Sequence, residues 1–420
     1  MKKLWLCYLF LSASLLSAQE GTPVEAPTLP KQLSFQRALE LGLASNPSLG
    51  VVQAGQHTAR ADQVTAGLRP NPVFLLNSES YPIFTSHPGS FFNHQELVTN
   101  VAQEIETAGK RKRRVEVAKL AVSVSEAESE DAKRGFRMAL AQSYFQAVLA
   151  KADQEVVRQM LLDFEQILKL MRERFRTGEI SGLDLQRVEI ERLKLLDEQV
   201  STEIALKNAK VQILSLIGLP PTIPEFDVTD SLEVQPVSVP LERLHREALS
   251  TRADWIAQQS RLVQAEASIR LEEAQRTPNL SPFFGYKRDV GANTVSFGVQ
   301  VPLPVFNRNQ GGVARALAEN ARQQFVAAQL RNTIQVEVQQ AYDNFEGNRN
   351  RVAILEKEYL PKARQTLETV RQTYRLGAAD LMTFLDAQRI YRDVTRLYDR
   401  LLFETVASRY RLEAAVGKEF

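Results

Sequence analysis

The chain has 420 residues, with 52 basic against 50 acidic side chains, four His and one Cys. The balanced charge gives no argument for nucleic acid or a strongly acidic ligand, and a mean hydropathy of -0.25 without any late apolar run of membrane length excludes a helical membrane protein. Its 19 Gly and 18 Pro fall below the average share of about 12%, so long uninterrupted elements are expected.

At the N-terminus Lys2 and Lys3 precede an apolar run over residues 4–16, then Ser17 and Ala18. This three-part pattern reads residues 1–18 as a cleaved secretory signal peptide. Cleavage would remove two Lys and Cys7, leaving a neutral chain that cannot use disulfides. Cys7 stands at the start of the apolar run rather than after it, so no lipid anchor is expected. Residues 19–32 read as an extended leader.

Two similar halves follow, predicted as a first repeat over 33–219 and a second over 241–417, with a Pro-rich linker (220–240) between them and a tail at 418–420. Phe175-Arg176-Thr177-Gly178 matches Tyr374-Arg375-Leu376-Gly377 at an offset of 199, and Pro70-Asn71 matches Pro278-Asn279 at an offset of 208. Ordered matches of this kind indicate duplication. Each half reads as helix, two strands, long helix, tight break, return helix.

In the first repeat a helix is predicted over 34–68, N-capped by Ser34. Strands follow over 72–80 and 96–105, with Leu97, Thr99 and Val101 on one side and Glu96, Asn100 and Glu104 on the other. A helix over 111–176 would be a rod of about 100 Å. Its narrow apolar stripe, with Leu149, Met160, Phe164 and Met171, predicts coiled-coil-like seams rather than a globular core. Gly178 is the expected left-handed cap and Asp184 the expected N-cap of a return helix over 185–217.

In the second repeat a helix from Leu241 should end at Thr277-Pro278. Leu280, Pro282, Phe284 and Tyr286 alternate in one strand, and Val295, Phe297, Val299 and Val301 alternate with polar residues in the next. Pro361 should kink the second long helix. Gly377 and Thr383 are the expected caps of the second break, and the return helix is predicted over 384–416.

Nothing in the sequence carries chemistry. The four His (57, 87, 94, 245) are scattered, and no nucleophile elbow, phosphate loop or dinucleotide glycine pattern is present. No enzyme, metal site or cofactor is expected. The run Lys110-Arg111-Lys112-Arg113-Arg114 opens a helix, where the macrodipole disfavours cations. It reads either as a junction element facing lipid head groups or acidic partners, or as a solvated helix start.

Strands with an outward apolar face in an exported chain point to an outer membrane, where an open sheet edge has no partner and the sheet must close. One chain supplies four strands; three chains supply twelve, and twelve helical rods that can close into a tube.

The chain resembles the TolC family of outer-membrane efflux proteins. The resemblance is carried by the duplicated layout and by four motifs: Leu68-Arg69-Pro70-Asn71-Pro72, Glu106-Thr107-Ala108-Gly109-Lys110-Arg111, the run from Val301 to Gly311 (VPLPVFNRNQG), and Tyr374-Arg375-Leu376-Gly377 leading to Leu385-Asp386-Ala387-Gln388-Arg389. The second and third look most like its heavy-metal (cobalt-zinc-cadmium, CzcC-like) branch.

The resemblance implies a mainly α fold with a small β part: long hairpins forming an α-barrel, and four strands per chain in a trimeric 12-stranded β-barrel. It implies a homotrimer in outer-membrane lipid, extending into the periplasm. Its implied partners are a periplasmic adaptor and an inner-membrane RND-type transporter, with no nucleic acid. The duct would pass heavy-metal cations passively; drugs, solvents or a type I secreted polypeptide are the alternative cargo.

The second hairpin corresponds to the family's periplasmic aperture, where two Asp one turn apart constrict the tube. Asp386 matches the second of these, Thr383 stands at the first, and Asp380 lies nearby; the family's latching Arg is Ala379 here. Gly178, Leu183, Asp184, Gly377 and Leu381 match adaptor-contacting tips, and Val295, Phe297, Val299 and Val301 a lipid-facing strand. A periplasmic coiled-coil scaffold or adaptor is the reading from another class; two tandem hairpins count against it.

Overall fold

The computed structural model describes residues 29–80, 95–221, 226–234, 239–289 and 292–420. The expected signal peptide (1–18), most of the leader, His87 and His94 lie outside the described residues.

Strand β1 (Gln32–Leu33) precedes α1 (Phe35–Ser45), which Ser34 caps through Arg37 N–H. The single helix expected over 34–68 is two: Asn46 leaves the helical region and caps α2 (Pro47–Gly67) by accepting from Leu49 N–H. Pro47 at the first helical position is the local signal for that break. Strands β2 (Val73–Glu79) and β3 (Glu96–Ala102) follow, then α3 (Lys110–Arg176), α4 (Gly182–Leu216) and β4 (Asp227–Val228).

The second half repeats this with α5 (Leu241–Thr251), α6 (Ala253–Gln275), β5 (Ser281–Asp289), β6 (Ala292–Gln300), α7 (Gln310–Ile354), a π-helical turn (Leu355–Tyr359), α8 (Leu360–Arg375) and α9 (Leu381–Val416). Here Arg252 makes the corresponding break, between α5 and α6. Pro361 does not break the rod. The π turn directly before it shifts the hydrogen-bond register by one residue, which accommodates the ring's missing N–H and its bulk.

Both return helices are capped three residues earlier than the sequence pattern indicates. Ser181 Oγ, not Asp184, accepts at the start of α4, and Asp380, not Thr383, at the start of α9. Asp184 stands three residues on, giving its N–H to Ser181 Oγ at 3.2 Å while its Oδ2 accepts from that hydroxyl at 2.7 Å. Thr383 gives its N–H to Asp380 Oδ1 at 2.7 Å.

The α3 rod is the spine. Its 67 residues span about 100 Å, with α2 and α6 packed along its upper part and α4 and α9 along its lower part. Buried apolar residues form several clusters strung along it rather than one core. The largest lies at the waist, where leader and linker meet: β1 and β4 pair in parallel, Gln32 opposite Asp227 and Leu33 opposite Val228. The hydroxyl of Tyr144 on α3, wholly buried, lies 2.7 Å from Leu33 O and 2.5 Å from Asp230 Oδ2, which share its one proton. The same carboxylate accepts from Phe35 N–H at 2.8 Å. Burial, reinforced by Asp230, raises the Tyr144 pKa well above the usual phenol range.

Candidate functional site

Four strands form one antiparallel sheet in the order β2-β3-β5-β6, so β2 and β6 are its edges. Opposed residues share a face. Phe284 lies opposite both Val101 and Phe297, Val101 opposite Phe74, and Tyr286 opposite Thr99 and Val295. These side chains make one apolar face, and Phe297 is 85% exposed on it. The other face carries the polar side chains Asn77, Glu79, Glu96, Asn100 and Ser296 beside Val73, Leu75, Val98 and Phe283, and Lys287 Nζ pairs with Glu96 across it at 2.5 Å. Val295, Phe297 and Val299 thus lie together on the apolar face, and Val301 continues their alternation just beyond β6. Among the described residues no helix is long and apolar enough to cross a membrane.

Below the sheet the basic run is a structural knot. Lys110 Nζ is held by Thr277 O (2.6 Å) and Asn279 Oδ1 (2.5 Å). Arg111 donates to Gly67 O at 2.6 Å, and Arg114 to Ala66 O and Leu68 O, both at 3.0 Å, while its other contacts go to Glu106. The cations open α3 against its own dipole, yet they satisfy the orphan carbonyls at the C-termini of α2 and α6, where positive charge is favoured. Burial lowers the Lys110 pKa, against the pull of Glu104 and Glu106. Sequence reasoning missed this role because every partner carbonyl is remote in the chain.

At the opposite end the two hairpins are closed by one device. Gly178 (φ +81°) and Gly377 (φ +77°) are left-handed, and the next residues, Glu179 and Ala378, return N–H bonds to Arg174 O and Thr373 O at 2.8 Å. This is the Schellman pattern, and it requires positive φ at the glycine. Leu183 is 58% exposed beside the first break. Leu381, grouped with the tip by sequence, is instead 8% exposed and packs with Tyr374 and Phe384 in the lower cluster; Met382, 57% exposed, is the residue presented beside the second break. Arg174 ties the hairpins together: it lies 5.7 Å from the Tyr374 ring centroid and donates to Arg375 O.

Asp386 is half-exposed on α9, in a groove of about 400 Å³ between α4 and α9 that Met382, Arg187 and Ile190 also line. It forms an ion pair with Arg389 at 2.5 Å. Within one chain its charge is therefore offset by a neighbour one turn on. Asp380 is committed to its capping role, and the backbone N–H of Thr383 holds its carboxyl below the usual range. Thr383 and Asp386 lie on one helix turn, as their spacing requires. Among the described residues no group of three or more His, Cys, Asp or Glu could hold a metal ion.

Higher on α9, Arg396 bridges three helices, pairing with Asp153 of α3 at 3.1 Å and with Glu198 of α4. Asp399, one turn further, is pushed up to about 6 by burial and by the like charge of Asp153.

The model of the family described as outer membrane efflux protein matches residues 38–219 and again 244–418. The cobalt-zinc-cadmium resistance protein CzcC of Cupriavidus metallidurans is 23% identical over 99% of this chain and 98% of its own length. The pyoverdine export outer membrane protein OpmQ of Pseudomonas putida is 22% identical over 98% of this chain and 97% of its own. In fold, the crystal structure of CusC superposes with a TM-score of 0.78 at 19% identity, covering 91% of this chain and 92% of that one. With a sheet that has one apolar face, helical rods about 100 Å long and a family match over both halves, the chain belongs to the outer membrane efflux protein family and is an outer-membrane efflux channel.

Proposed function

We propose that three copies assemble into one closed duct: a 12-stranded barrel in the outer membrane continued by a helical tube through the periplasm. The observation that carries this reading is the sheet itself. Its apolar face suits lipid, but β2 and β6 leave two edges that lipid cannot satisfy, and copies joined edge to edge remove them. The rods support the same reading, because α4 keeps Leu193, Val200 and Ile204 exposed among the described residues. The protein should fractionate with outer membranes and run as a trimer in mild detergent; a soluble monomer would sink the proposal.

The cargo we propose is heavy-metal cations, delivered by an RND-type transporter through a periplasmic adaptor that meets the exposed ends at Gly178, Leu183, Gly377 and Met382. The full-length likeness to a cobalt-zinc-cadmium resistance protein supports this reading. The equally long likeness to a pyoverdine exporter keeps an organic cargo as the second reading. Deleting the chain's gene and scoring growth on cobalt, zinc and cadmium against growth on organic toxicants separates the two.

A further inference from the structure

The duplication allows the contact between copies to be written down from a contact already present within one. Inside the chain β3 pairs with β5, Val101 opposite Phe284 and Asn100 opposite Gly285. The ladder then runs on below the strands, where Gln103 N–H reaches Pro282 O and Ile105 bridges Leu280. The two strand-to-helix junctions match at one spacing: Gly109 (φ +69°) and Asn309 (φ +56°), 200 residues apart, each hold the left-handed residue that opens a long helix. The two helix-to-strand junctions match at Pro70-Asn71 and Pro278-Asn279, 208 apart. Carrying the β3–β5 register across by these spacings gives a β6–β2 register.

We propose that β6 of one copy pairs antiparallel with β2 of the next so that Val301 lies opposite Leu76, Gln300 opposite Asn77, and Leu303 opposite Phe74. This rests on the closed-duct reading and adds the register of its seam. The seam must carry the apolar face of the sheet from copy to copy without a step, since a one-residue slip would turn every side chain of one strand to the wrong side. The derived register meets that condition, though exposure was not used to derive it. Val301 and Leu76 are both apolar and exposed, and Gln300 and Asn77 both belong to the polar face.

The segment that follows is also in place for a partner. Leu303, Val305 and Phe306 (93% exposed) are uncovered among the described residues and stand where Gln103, Ile105 and Glu106 meet the α6–β5 junction. The corresponding surface of the next copy is Leu68 to Pro72, with Asn71 at the place of Asn279. Pro72 has no N–H, and Val305 N–H is turned to Leu303 O of its own chain at 2.9 Å, so repeating the accepting half of the Ile105–Leu280 bridge requires Val305 to exchange that bond for Pro72 O.

Cysteine pairs test this in the full-length exported chain, with Cys7 replaced by Ser. Gln300→Cys with Asn77→Cys, and separately Leu303→Cys with Phe74→Cys, should give covalent trimer on oxidation. Gln300→Cys with Glu79→Cys should lose it, because a two-residue shift of about 7 Å exceeds disulfide reach. Covalent trimer from the shifted pair and not from the matched pairs overturns the register. A detergent-stable trimer that no pair cross-links overturns it too, while leaving the closed duct standing. A monomer removes both.

Discussion

The two halves of the chain reach the same shape with different chemistry, and the waist shows this best. In the first half Ser45 Oγ donates to Ile217 O and Asn46 Nδ2 to Leu216 O, both at 2.6 Å, so two neutral groups clasp the end of α4. In the second half Thr251 Oγ1 donates to Val416 O at 2.7 Å and Arg252 to Ala415 O at 3.0 Å, clasping the end of α9. The backbone at Asn46 and Arg252 is nearly identical (φ -65°, ψ 121° and φ -66°, ψ 124°). The Arg252 side chain, however, is 3% exposed and ionic, held by Asp254 and Glu337 at 2.6 Å. Burial works against both charges, yet the Arg252 pair keeps Asp254 below the usual carboxylate range. The geometry of the clasp is what the repeat preserves; the identity of the donor is free.

The largest break in that equivalence should come from truncating the donors. Arg252→Ala removes the buried partner of Asp254, which keeps only Arg134 at 3.8 Å, and should cost about 3 kcal/mol, whereas Asn46→Ala loses a cap and one carbonyl bond, about 1–2 kcal/mol. Equal losses in thermal or denaturant unfolding would mean the charged clasp is solvated. At the membrane end the halves should instead agree. Lys at Phe297 or at Leu76, on the proposed lipid face, should each cost about 2–4 kcal/mol near the midplane and impair assembly, while Lys at Gln300 is tolerated. Normal assembly of Phe297→Lys would reverse the assigned faces.

A smaller effect concerns pH and arises where the halves meet, at Asp399 on α9 beside Asp153 on α3. Asp399 is raised in the folded state, so the fold retains a proton that the unfolded chain releases between about pH 4 and 6. Its contribution to stability therefore falls as pH rises through that window. Asp399→Asn should stabilise by about 1 kcal/mol at pH 7.5, after a discount for partial exposure, and the gain should vanish below pH 4. A pH-independent gain would assign it to packing. The smallest effect is expected at the second hairpin, which we propose as the periplasmic aperture. Asp386→Ala should weaken block by multivalent cations in bilayer recordings, and Arg389→Ala should strengthen it by unmasking Asp386. The same direction from both would remove the ion pair from the account.

Features set by a few neighbouring residues can be read from the sequence, and those set by contacts remote in the chain cannot. Apolar alternation at Val295, Phe297 and Val299, positive φ at Gly178 and Gly377, and the stripe along α3 were all legible, because each depends on a few residues in a row. Choosing among neighbouring caps was not: Ser181 and Asp184 are both good N-cap types three residues apart, and the break geometry selects the first. Which side chain is exposed beside the second break is undetermined by sequence for a related reason. Leu381 and Met382 are both apolar, and only packing against Tyr374 decides which is buried.

By itself the sequence determined a duplicated, mainly helical chain with four short strands and no recognisable catalytic site, since periodicity, turn residues and repeat spacing are properties of the unfolded text. The tertiary structure decided where the polar groups find partners. Lys110 and Arg114 act on helix ends far along the chain, Asp230 joins linker to leader through Tyr144, and Asp386 is offset by Arg389. A helix end or a buried charge must be satisfied by whatever group lies closest in space. No local pattern records which group that will be.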